Sequence, residues 1–498
     1  MTAQIPQGWI YCRLSNAVHP RNEKVAPQDF PEMPFIGMDH IKPQTMKIIG
    51  QVPSSQMKSK ASRFYAGDVL YGRLRPYLNK VAQVNFDGLA SAEFIVFPSN
   101  DIICNSFLKY RLNSREFVSF ANHLNEGDRP RVNFKQIGDF QILLPPLNEQ
   151  KRIVEKIEEL FSELDAGVES LKAAQAKLKL YRQALLKQAF EGKLTEQWRK
   201  ENADKLEPAE QLLERIKQER EARYQKQLDD WKTAVKEWES QGKPGKKPTK
   251  PQKTKFSNLE KLESPITLSY DKNWQWVQLK NICYEITDGD HQAPPKSDFG
   301  IPFITISNID KNNNTIDFSE TFFVPETYFL SLPKKKKPIV NDILYTVTGS
   351  FGIPVLITHE KDFCFQRHIG LIRPSKHIFS KWLYYLLSSD LIYSQAKEKS
   401  TGTAQKTVSL SSLREFEIPL CSYHEQLEIS DLLDYQFSEI EKMEAEIKIS
   451  LQKSEIVRQS ILKKAFSGQL IPQDPNDEPA SVLLERIREE KAATKNKK

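Results

Sequence analysis

Apolar residues recur in steps of three and four along two long stretches of the chain, the first from about Asn148 to Phe190. In the first stretch they are Ile153, Ile157, Leu160, Leu164, Val168, Leu171, Leu178 and Leu185, and in the second Ile429, Leu433, Phe437, Ile440, Ile447, Leu451, Val457 and Ile461. This spacing predicts two amphipathic helices with a narrow apolar stripe, suited to pairing with another helix. Gly192 and Gly468 follow the last predicted turns as C-cap candidates.

The stretches ahead of each predicted helix have a different pattern. Short runs of Phe, Tyr, Ile and Val, such as ASAEFIVFPS and IPFITISNI, are punctuated by Gly, Pro and Asn. This composition is typical of mixed domains that are rich in short strands. We therefore predict globular domains over about 1–145 and 264–420.

The chain repeats itself at an offset of about 276 residues. The segment 182–194, RQALLKQAFEGKL, recurs as 458–470, RQSILKKAFSGQL, and LLERI recurs at 212–216 and 483–487. The globular stretches correspond more loosely, as in Gly67-Asp68 with Asn341-Asp342. A constant helical part beside a variable globular part is expected where each globular part reads something different.

These patterns together predict an α+β protein. It has two mixed, strand-rich domains joined by two long antiparallel coiled-coil helices, with a pseudo-twofold internal repeat. The predicted boundaries are 1–145 for the first domain, 146–194 for the first long helix, 195–263 for a charged helical extension with a Lys/Pro linker, 264–420 for the second domain, 421–470 for the second long helix and 471–498 for a charged tail.

Composition narrows the possible classes of protein. The 498 residues are 39% hydrophobic and 28% charged, with a mean hydropathy of −0.55, and no run approaches the ~18 apolar residues of a spanning helix. Of the net charge of +7, the linker 241–256 contributes +6 and the tail 486–498 contributes +4, so the rest carries −3. The body of the chain is therefore not uniformly basic, and any affinity for nucleic acid would depend on local patches. Five scattered cysteines, without a C-x-x-C pair, are typical of free thiols in a reducing cytosol, and we expect a cytoplasmic protein.

No catalytic motif emerges from the sequence. Phosphate-binding glycine loops, H-E-x-x-H and the Asn/Asp-Pro-Pro-aromatic element of amino-methyltransferases are all missing. His359, Cys364 and His368 do not have a usual zinc spacing, so we expect no metal. Trp198, Trp231 and Trp238 are interpreted as packing anchors of helices. We predict a non-catalytic chain.

The layout resembles the specificity subunit of type I restriction-modification systems. The resemblance covers essentially the whole chain. It depends on the proline-to-Glu-Gln helix start at 146–150, which has an imperfect second copy, and on the repeated helix ends at 182–194 and 458–470. The segment Asp288-Gly289-Asp290-His291 with Pro294 looks like the D-G-x-H-x-x-P element of such target-recognition domains, which the first domain lacks.

The resemblance implies a reader of double-stranded DNA in which each domain recognises half of a bipartite, asymmetric target. The helices would set the gap and dock two methyltransferase subunits, which use S-adenosylmethionine to modify adenine. Restriction subunits that use ATP and Mg would join them. This chain itself would bind no cofactor. The expected partner-binding residues are Ile153, Ile157, Leu160, Phe190, Ile429, Leu433, Phe437 and Phe466.

Candidate DNA-binding residues lie on basic or amide-bearing loops, which reading a groove requires. They occur in 69–86 and 128–135 of the first domain and in the corresponding loops of the second, where a solvated basic face is the alternative interpretation. The candidates are Arg73, Arg75, Lys80, Arg129, Arg131, Lys135, His291, Ser350, Arg367, His368, Gln405 and Lys406. The run Lys334–Lys336 with Lys337 is interpreted as a solvated loop, with phosphate contact as the second possibility.

Two alternatives come from other classes of protein. A coiled-coil assembly scaffold with protein-binding globular ends fits the helices equally well, and basic loops favour DNA over it. A self-contained nuclease or methyltransferase is disfavoured by the missing motifs. Salt-dependent DNA binding would distinguish a DNA reader from the scaffold. Methyl transfer by the purified single chain would favour the self-contained enzyme.

Overall fold

The computed structural model describes residues 5–124, 129–251, 253, 273–291, 293–403 and 405–495. They form two compact units: unit 1 comprises Met1–Ala174 and Glu446–Lys498, and unit 2 comprises Gln175–Ala445. None of the helices in the described residues has the length and apolar character that crossing a bilayer requires.

Unit 1 begins with the first strand-rich part. Its strands are β1 (Ile10–Arg13), β2 (Lys24–Val25), β3 (Pro34–Ile36), β4 (Val52–Pro53), β5 (Ala61–Phe64), β6 (Val69–Gly72), β7 (Val81–Gln83), β8 (Gly88–Ala90), β9 (Phe94–Phe97) and β10 (Gln141–Leu144). Its short helices are α1 (Leu14–Ala17), α2 (Asn105–Asn113), α3 (Arg115–Asn122) and α4 (Phe134–Ile137). The strands form sheets in the orders β2-β5-β8-β3-β4 and β7-β6-β9, while β1 pairs antiparallel with β10.

The first long helix, α5, spans Leu147–Phe190. It is followed by α6 (Glu196–Glu201) and α7 (Ala209–Ser240). The apolar pattern, which predicted a helix from about Asn148 to Phe190, agrees with these bounds to within one residue, whereas residues 191–194 of the predicted segment 146–194 follow the last helical turn. Pro146 directly precedes Leu147, since a proline is tolerated where a helix begins but interrupts a strand ladder.

Unit 2 contains the second strand-rich part. Its strands are β11 (Gln275–Gln278), β12 (Cys283–Asp288), β13 (Ile301–Ile304), β14 (Ile309–Asp310), β15 (Thr315–Ile316), β16 (Phe322–Val324), β17 (Ile343–Thr346), β18 (Pro354–Leu356), β19 (Cys364–Phe365), β20 (Ile369–Pro374) and β21 (Glu417–Leu420). The helices are α8 (Leu279–Ile282), α9 (Glu326–Ser331), α10 (Ser380–Leu387), α11 (Asp390–Glu398), α12 (Leu410–Arg414) and then α13 (Tyr423–Phe466), while α14 (Ala480–Lys495) ends the chain in unit 1. The sheet orders are β12-β20-β17-β18, β16-β13-β19 and β14-β15, and β11 pairs antiparallel with β21.

The two units share several strand pairings, although their sheets differ in extent. In unit 1, Phe35 of β3 lies opposite Leu89 of the parallel strand β8, and in unit 2 Phe303 of β13 lies opposite Cys364 of the parallel strand β19. In both units the paired entry and exit strands bring the chain back to where the strand-rich part began. The long helix starts directly after that pair.

The Glu-Gln pair at each helix start is buried and explains the repeated motif. Gln150 accepts a hydrogen bond from Cys104 N (2.7 Å) and donates to Pro145 O (3.0 Å), and the Trp9 indole donates to Glu149 (2.9 Å). Burial raises the pKa of Glu149 although Trp9 and Gln473 donate hydrogen bonds to it. The pair therefore joins the helix to its own strand-rich part.

Unit 2 repeats these contacts. Gln426 accepts from Phe379 N (2.9 Å) and donates to Cys421 O (3.0 Å), and the Trp274 indole donates to Glu425 (2.8 Å). Glu425 also accepts hydrogen bonds from Thr195 and Arg199, both at 2.6 Å. Repeated residues thus make equivalent hydrogen bonds in both units.

The composition of the Lys/Pro linker predicts a flexible or extended spacer, and in the structure the described linker residues are held against a helix. Over the described residues up to Lys253 it lies along α7, where Tyr224, Trp231 and Trp238 recur every seven residues. The indoles of Trp231 and Trp238 donate to prolyl carbonyls, at 2.9 and 3.0 Å. Lys253 pairs with Glu221 at 2.7 Å. The sequence predicted that these two tryptophans anchor the packing of helices; in the structure their indoles instead hold the linker.

Candidate nucleic-acid interface

In unit 1, the two predicted basic segments meet at the end of β6. Leu74 forms a β-bridge with Arg131, Arg75 N donates to Pro130 O at 2.8 Å, and Val132 N donates to Arg73 O at 3.0 Å. Arg73 N also donates to Glu93 O at 2.9 Å, in the segment that enters β9. We call these three joined segments, 73–80, 91–93 and 130–133, the loop frame of unit 1.

A carboxylate partly neutralises this frame. Glu93 contacts Arg73 at 3.3 Å and Arg131 at 2.7 Å, which fixes the two guanidinium groups side by side. Burial, and after it the charge of Arg73, lower the pKa of Lys24. Two arginines held by one glutamate keep a net positive charge and a fixed geometry, which suits contacts to phosphates.

The candidate DNA-binding residues of unit 1 differ in how far their side chains are exposed. Arg75, Arg129, Arg131 and Lys135 are exposed, whereas Lys80 is half-buried and donates to the Met38 carbonyl. Asp128, at the edge of the second predicted segment, lies outside the described residues. Arg75 has no hydrogen-bond or ion-pair partner for its guanidinium among the residues that the structure describes.

Unit 2 builds the same frame from a different sequence. Thr348 forms a β-bridge with Thr407, Gly349 N donates to Lys406 O at 2.9 Å, and Val408 N donates to Val347 O at 2.8 Å. Val347 N donates to His368 O at 2.9 Å. The loop frame of unit 2 therefore consists of 347–352, 366–368 and 405–408, and it brings together most of the residues predicted for this domain.

Several predicted side chains lie on this second frame. Arg367, Gln405 and Lys406 are exposed, and Ser350 and His368 are half-buried. Arg367 Nε lies 3.4 Å from His368 Nε2. The sequence also predicted DNA contact in the loop 401–406, of which Ala404 falls outside the described part of the chain.

The D-G-x-H element lies beside the second frame. Asp290 N donates to Phe365 O and Arg367 N donates to Asp290 O, both at 3.2 Å. His291 is exposed, with Nε2 2.8 Å from Asp288 Oδ2, and the Tyr328 hydroxyl donates to Asp290 at 2.5 Å. Burial, and then this hydrogen bond, raise the pKa of Tyr328. The element therefore holds an imidazole at the protein surface.

Glycine is required in this element. A Cβ atom at Gly289 would lie 1.9 Å from Phe365 O and 2.6 Å from Gln366 C, so no side chain fits. Lys336 donates to the Gly289 carbonyl at 2.9 Å, which gives one lysine of the four-lysine run a structural contact. Groups of three or more metal-ligating side chains do not occur among the described residues.

Equivalent backbone positions in the two frames carry different chemistry. The pairs, in the order unit 1 and unit 2, are Arg73 and Val347, Arg75 and Gly349, Glu93 and His368, Pro130 and Lys406, and Arg131 and Thr407. Backbone hydrogen bonds hold the frame in place, so its side chains vary without changing the fold. Different chemistry on one framework is the arrangement that two different readers require.

Most of the predicted partner-binding residues are buried within their own unit. Leu160 is half-buried, while the remaining seven are at most 7% exposed. Ile153, Ile157 and Phe466 lie in one core of unit 1, and Phe190, Ile429, Leu433 and Phe437 lie in one core of unit 2. Burial leaves almost no surface of these seven for a partner, because the apolar stripe packs against the chain's own domains. Any partner that bound these helices would therefore have to contact other residues.

Sequence reasoning missed Glu93, Lys24 and Tyr328. Glu93 sits in a hydrophobic strand run, and Tyr328 is 38 residues from the aspartate that it contacts. The pairing of β6 with β9 places Glu93 beside the basic loops, whereas Tyr328 reaches Asp290 from the short helix α9. One signal in the sequence could have pointed to Glu93, because it is an acid directly before an apolar strand. The internal repeat aligns this position with the polar turn before Ile369.

Comparison with known proteins gives the family. The model of the type I restriction modification DNA specificity domain matches residues 20–172 and 271–453. The Escherichia coli type I restriction enzyme EcoDI specificity subunit is 33% identical over 224 residues, which span 44% of this chain and only 50% of that subunit. The EcoBI specificity subunit of the same organism is 27% identical, covering 74% of this chain and 68% of its own length.

Solved structures give the same fold. A chain from work on complex assembly and conformational transition of the type I R-M system aligns with a TM-score of 0.68, 21% identity and coverage of 94% of this chain and 100% of that one. The HsdS subunit from Thermoanaerobacter tengcongensis aligns with a TM-score of 0.51 and 21% identity over 94% and 99% of the two chains. At these identities the likeness concerns the fold alone. Because the family model matches both strand-rich parts and more than half of the residues, this chain belongs to the type I restriction-modification DNA specificity family.

Proposed function

We propose that this chain reads a bipartite, asymmetric DNA target, one half with each loop frame. The observation that carries the proposal is the shared backbone of the two frames with different exposed side chains upon it. Unit 1 presents arginines, whereas unit 2 presents His291, Arg367, Gln405 and Lys406 at its surface. Since base edges are distinguished by hydrogen-bond pattern, two different sets of donors read two different sequences.

We also propose that α5 and α13 pair in antiparallel fashion as a spacer between the half-sites. Contacts within each unit support this. In unit 1, Arg458 stacks on Phe161, with 4.3 Å from its guanidinium to the ring centroid, and pairs with Asp165. In unit 2, Arg182 stacks on Phe437 at 4.6 Å and lies 3.8 Å from Glu441. The early part of α5 thus meets the late part of α13 in one unit, and the reverse holds in the other.

The family resemblance supplies the proposed partners. Methyltransferase subunits carrying S-adenosylmethionine would modify adenine at the target, and restriction subunits using ATP and Mg would cleave DNA. In this proposal the present chain binds none of these cofactors and performs no catalysis. It directs the partners to a sequence.

The test is to map methyladenine genome-wide in cells that contain the companion methyltransferase, with and without this chain. We expect methylation at one split motif that disappears when the chain is removed. A second strain carries another family member's residues in place of 10–144, the segment enclosed by the paired strands β1 and β10. One half of the motif should then change and the other half should remain.

Matched charge variants supply the control. Arg129, Arg131 and Lys135 changed together to alanine should weaken DNA binding and flatten its salt dependence, by a slope of about 0.9 for each phosphate that the variant no longer neutralises. The exposed lysines Lys217, Lys226 and Lys232 of α7, which lies outside the two long helices, remove the same charge when changed together to alanine and should have little effect. An unchanged methylome, with equal effects of both triple variants, would contradict the proposal and favour the scaffold alternative.

A further inference from the structure

The backbone of Arg75 adopts the left-handed conformation, with φ 52° and ψ 67°. Side chains with a Cβ atom disfavour this region, and a following proline such as Pro76 favours an extended conformation for the residue before it. The conformation therefore does not come from local preference. It is imposed by the loop frame, in which Arg75 N is bonded to Pro130 O.

Unit 2 shows what the frame requires at this position. The equivalent residue is Gly349, whose N–H donates to Lys406 O and whose φ is +71°. Glycine adopts left-handed conformations without steric cost. Two independent copies of the frame thus place a left-handed residue at the same point, and only unit 1 fills it with a residue that is strained there.

Contacts within the described part of the chain do not explain why an arginine occupies this left-handed position. Its side chain is exposed and its guanidinium meets no acceptor or carboxylate there, in contrast to Arg73 and Arg131, which Glu93 holds. The loop is nevertheless rigid at both ends, because Leu78 N donates to Arg75 O and Asn79 N donates to Pro76 O, both at 2.9 Å. Backbone strain held by surrounding structure, beneath a free charged group, points to a binding role.

We infer that Arg75 is a specificity-determining residue of unit 1, which recognises a guanine in one half of the target. The inference rests on the proposed function. A guanidinium donates two parallel hydrogen bonds, and guanine presents two acceptors, O6 and N7, in the major groove. Arg73 and Arg131, fixed by Glu93, act as positioning residues on the phosphates. A rigid backbone beneath Arg75 reduces the ordering that binding would otherwise cost.

The test uses Arg75→Gly and Arg75→Lys in the full chain, together with its companion methyltransferase. Arg75→Gly relieves the backbone, so its Tm should rise by about 2–4 °C, while affinity for the methylated motif falls about 5- to 150-fold. Discrimination should be lost at one guanine and kept at the other positions of the motif. Arg75→Lys keeps the charge and the strain, and should likewise lose that discrimination, since an ammonium is not bidentate.

Asn341→Gly is the matched control. Asn341 is exposed and left-handed, with φ 74°, at the position where unit 1 has Gly67 with φ +91°. Relief of its backbone should leave the motif and the affinity unchanged. If Arg75→Gly lowers Tm, preserves the motif, or weakens binding equally at every sequence, the inference is wrong. If the unaltered chain directs no motif at all, the proposed function has failed instead.

Discussion

At the scale of single residues, buried carboxylates connect distant parts of the sequence. The Glu425 side chain is fully buried, and the Arg199 side chain that it contacts at 2.6 Å is 10% exposed. Removing one partner of such a pair leaves an uncompensated charge in a low-dielectric interior, which costs more than the pair contributes. Surface pairs, by comparison, contribute about 0–1 kcal/mol because water and salt screen them.

Glu425→Ala should therefore lower the free energy of unfolding of unit 2 by about 3–5 kcal/mol. Urea unfolding followed by tryptophan fluorescence measures the change, since Trp274 donates to this carboxylate. Glu214→Ala, which removes an exposed glutamate paired with Lys217, should stay within about 0.5 kcal/mol. Equal losses in the two variants would show that Glu425 contributes only as a surface charge does.

At the scale of secondary-structure elements, the backbone requires glycine directly after α5 but not inside it. Gly192 follows the last helical turn with φ +72°, and its N–H donates to Ala189 O at 3.2 Å. Gly167 lies inside α5, and a Cβ atom there would meet nothing within 4 Å. The first position needs left-handed backbone, which alanine resists, and the second needs helical backbone, which alanine favours.

The same substitution should thus change stability in opposite directions. Gly192→Ala should destabilise by about 1–2 kcal/mol, whereas Gly167→Ala should stabilise by about 0.5–1 kcal/mol. Thermal unfolding of the two variants measures both changes. Gly468→Ala should cost at least as much as Gly192→Ala, because its Cβ atom would lie 2.4 Å from Pro6 Cγ. If Gly192→Ala stabilised the protein, the helix would not end in a left-handed residue at position 192.

At the scale of the whole molecule, each unit combines a strand-rich part with pieces of both long helices. Unit 1 buries Phe161 of α5 and Phe466 of α13 in one core, and unit 2 buries Phe190 of α5 and Phe437 of α13 in another. Each long helix is consequently anchored in both units by large apolar side chains. In the proposed spacer role, the length of the helices would therefore set the gap between the half-sites.

The proposed spacer role predicts the effect of lengthening the helices. An insertion of about seven residues in each helix, after Ala174 and after Ala445, keeps the apolar stripe in phase. It adds roughly 10 Å at 1.5 Å per residue, equivalent to about three base pairs of DNA at 3.4 Å each. Methyladenine mapping should show a longer gap between unchanged half-sites. An unchanged gap, or altered half-sites, would contradict the spacer role.

The candidate interface was only partly accessible to sequence reasoning. The charge of the two loops around Arg73 and Arg131 identified them as candidates in the sequence. The structure then shows that these two separately predicted segments lie next to each other. Their partial neutralisation by Glu93 was not foreseeable, because Glu93 directly precedes β9 and its position depends on the register of β9 against β6. A shift of one residue in that register would turn Glu93 to the other face of the sheet.

The sequence by itself determined the elements that depend on local order. Apolar spacing and the glycines after the last turn predicted α5 with its end at Phe190, and the repeat predicted two copies of one framework. Local backbone preferences and side-chain periodicity are properties of neighbouring residues, so they can be read directly from the chain.

Only the tertiary structure decided which side chains are free to act. It buried Ile153, Ile157 and Phe437 in the chain's own cores, laid the Lys/Pro segment along α7, and left Arg75 strained and exposed. Burial, register and imposed backbone conformation arise from contacts between residues far apart in sequence, whose energies no local pattern contains.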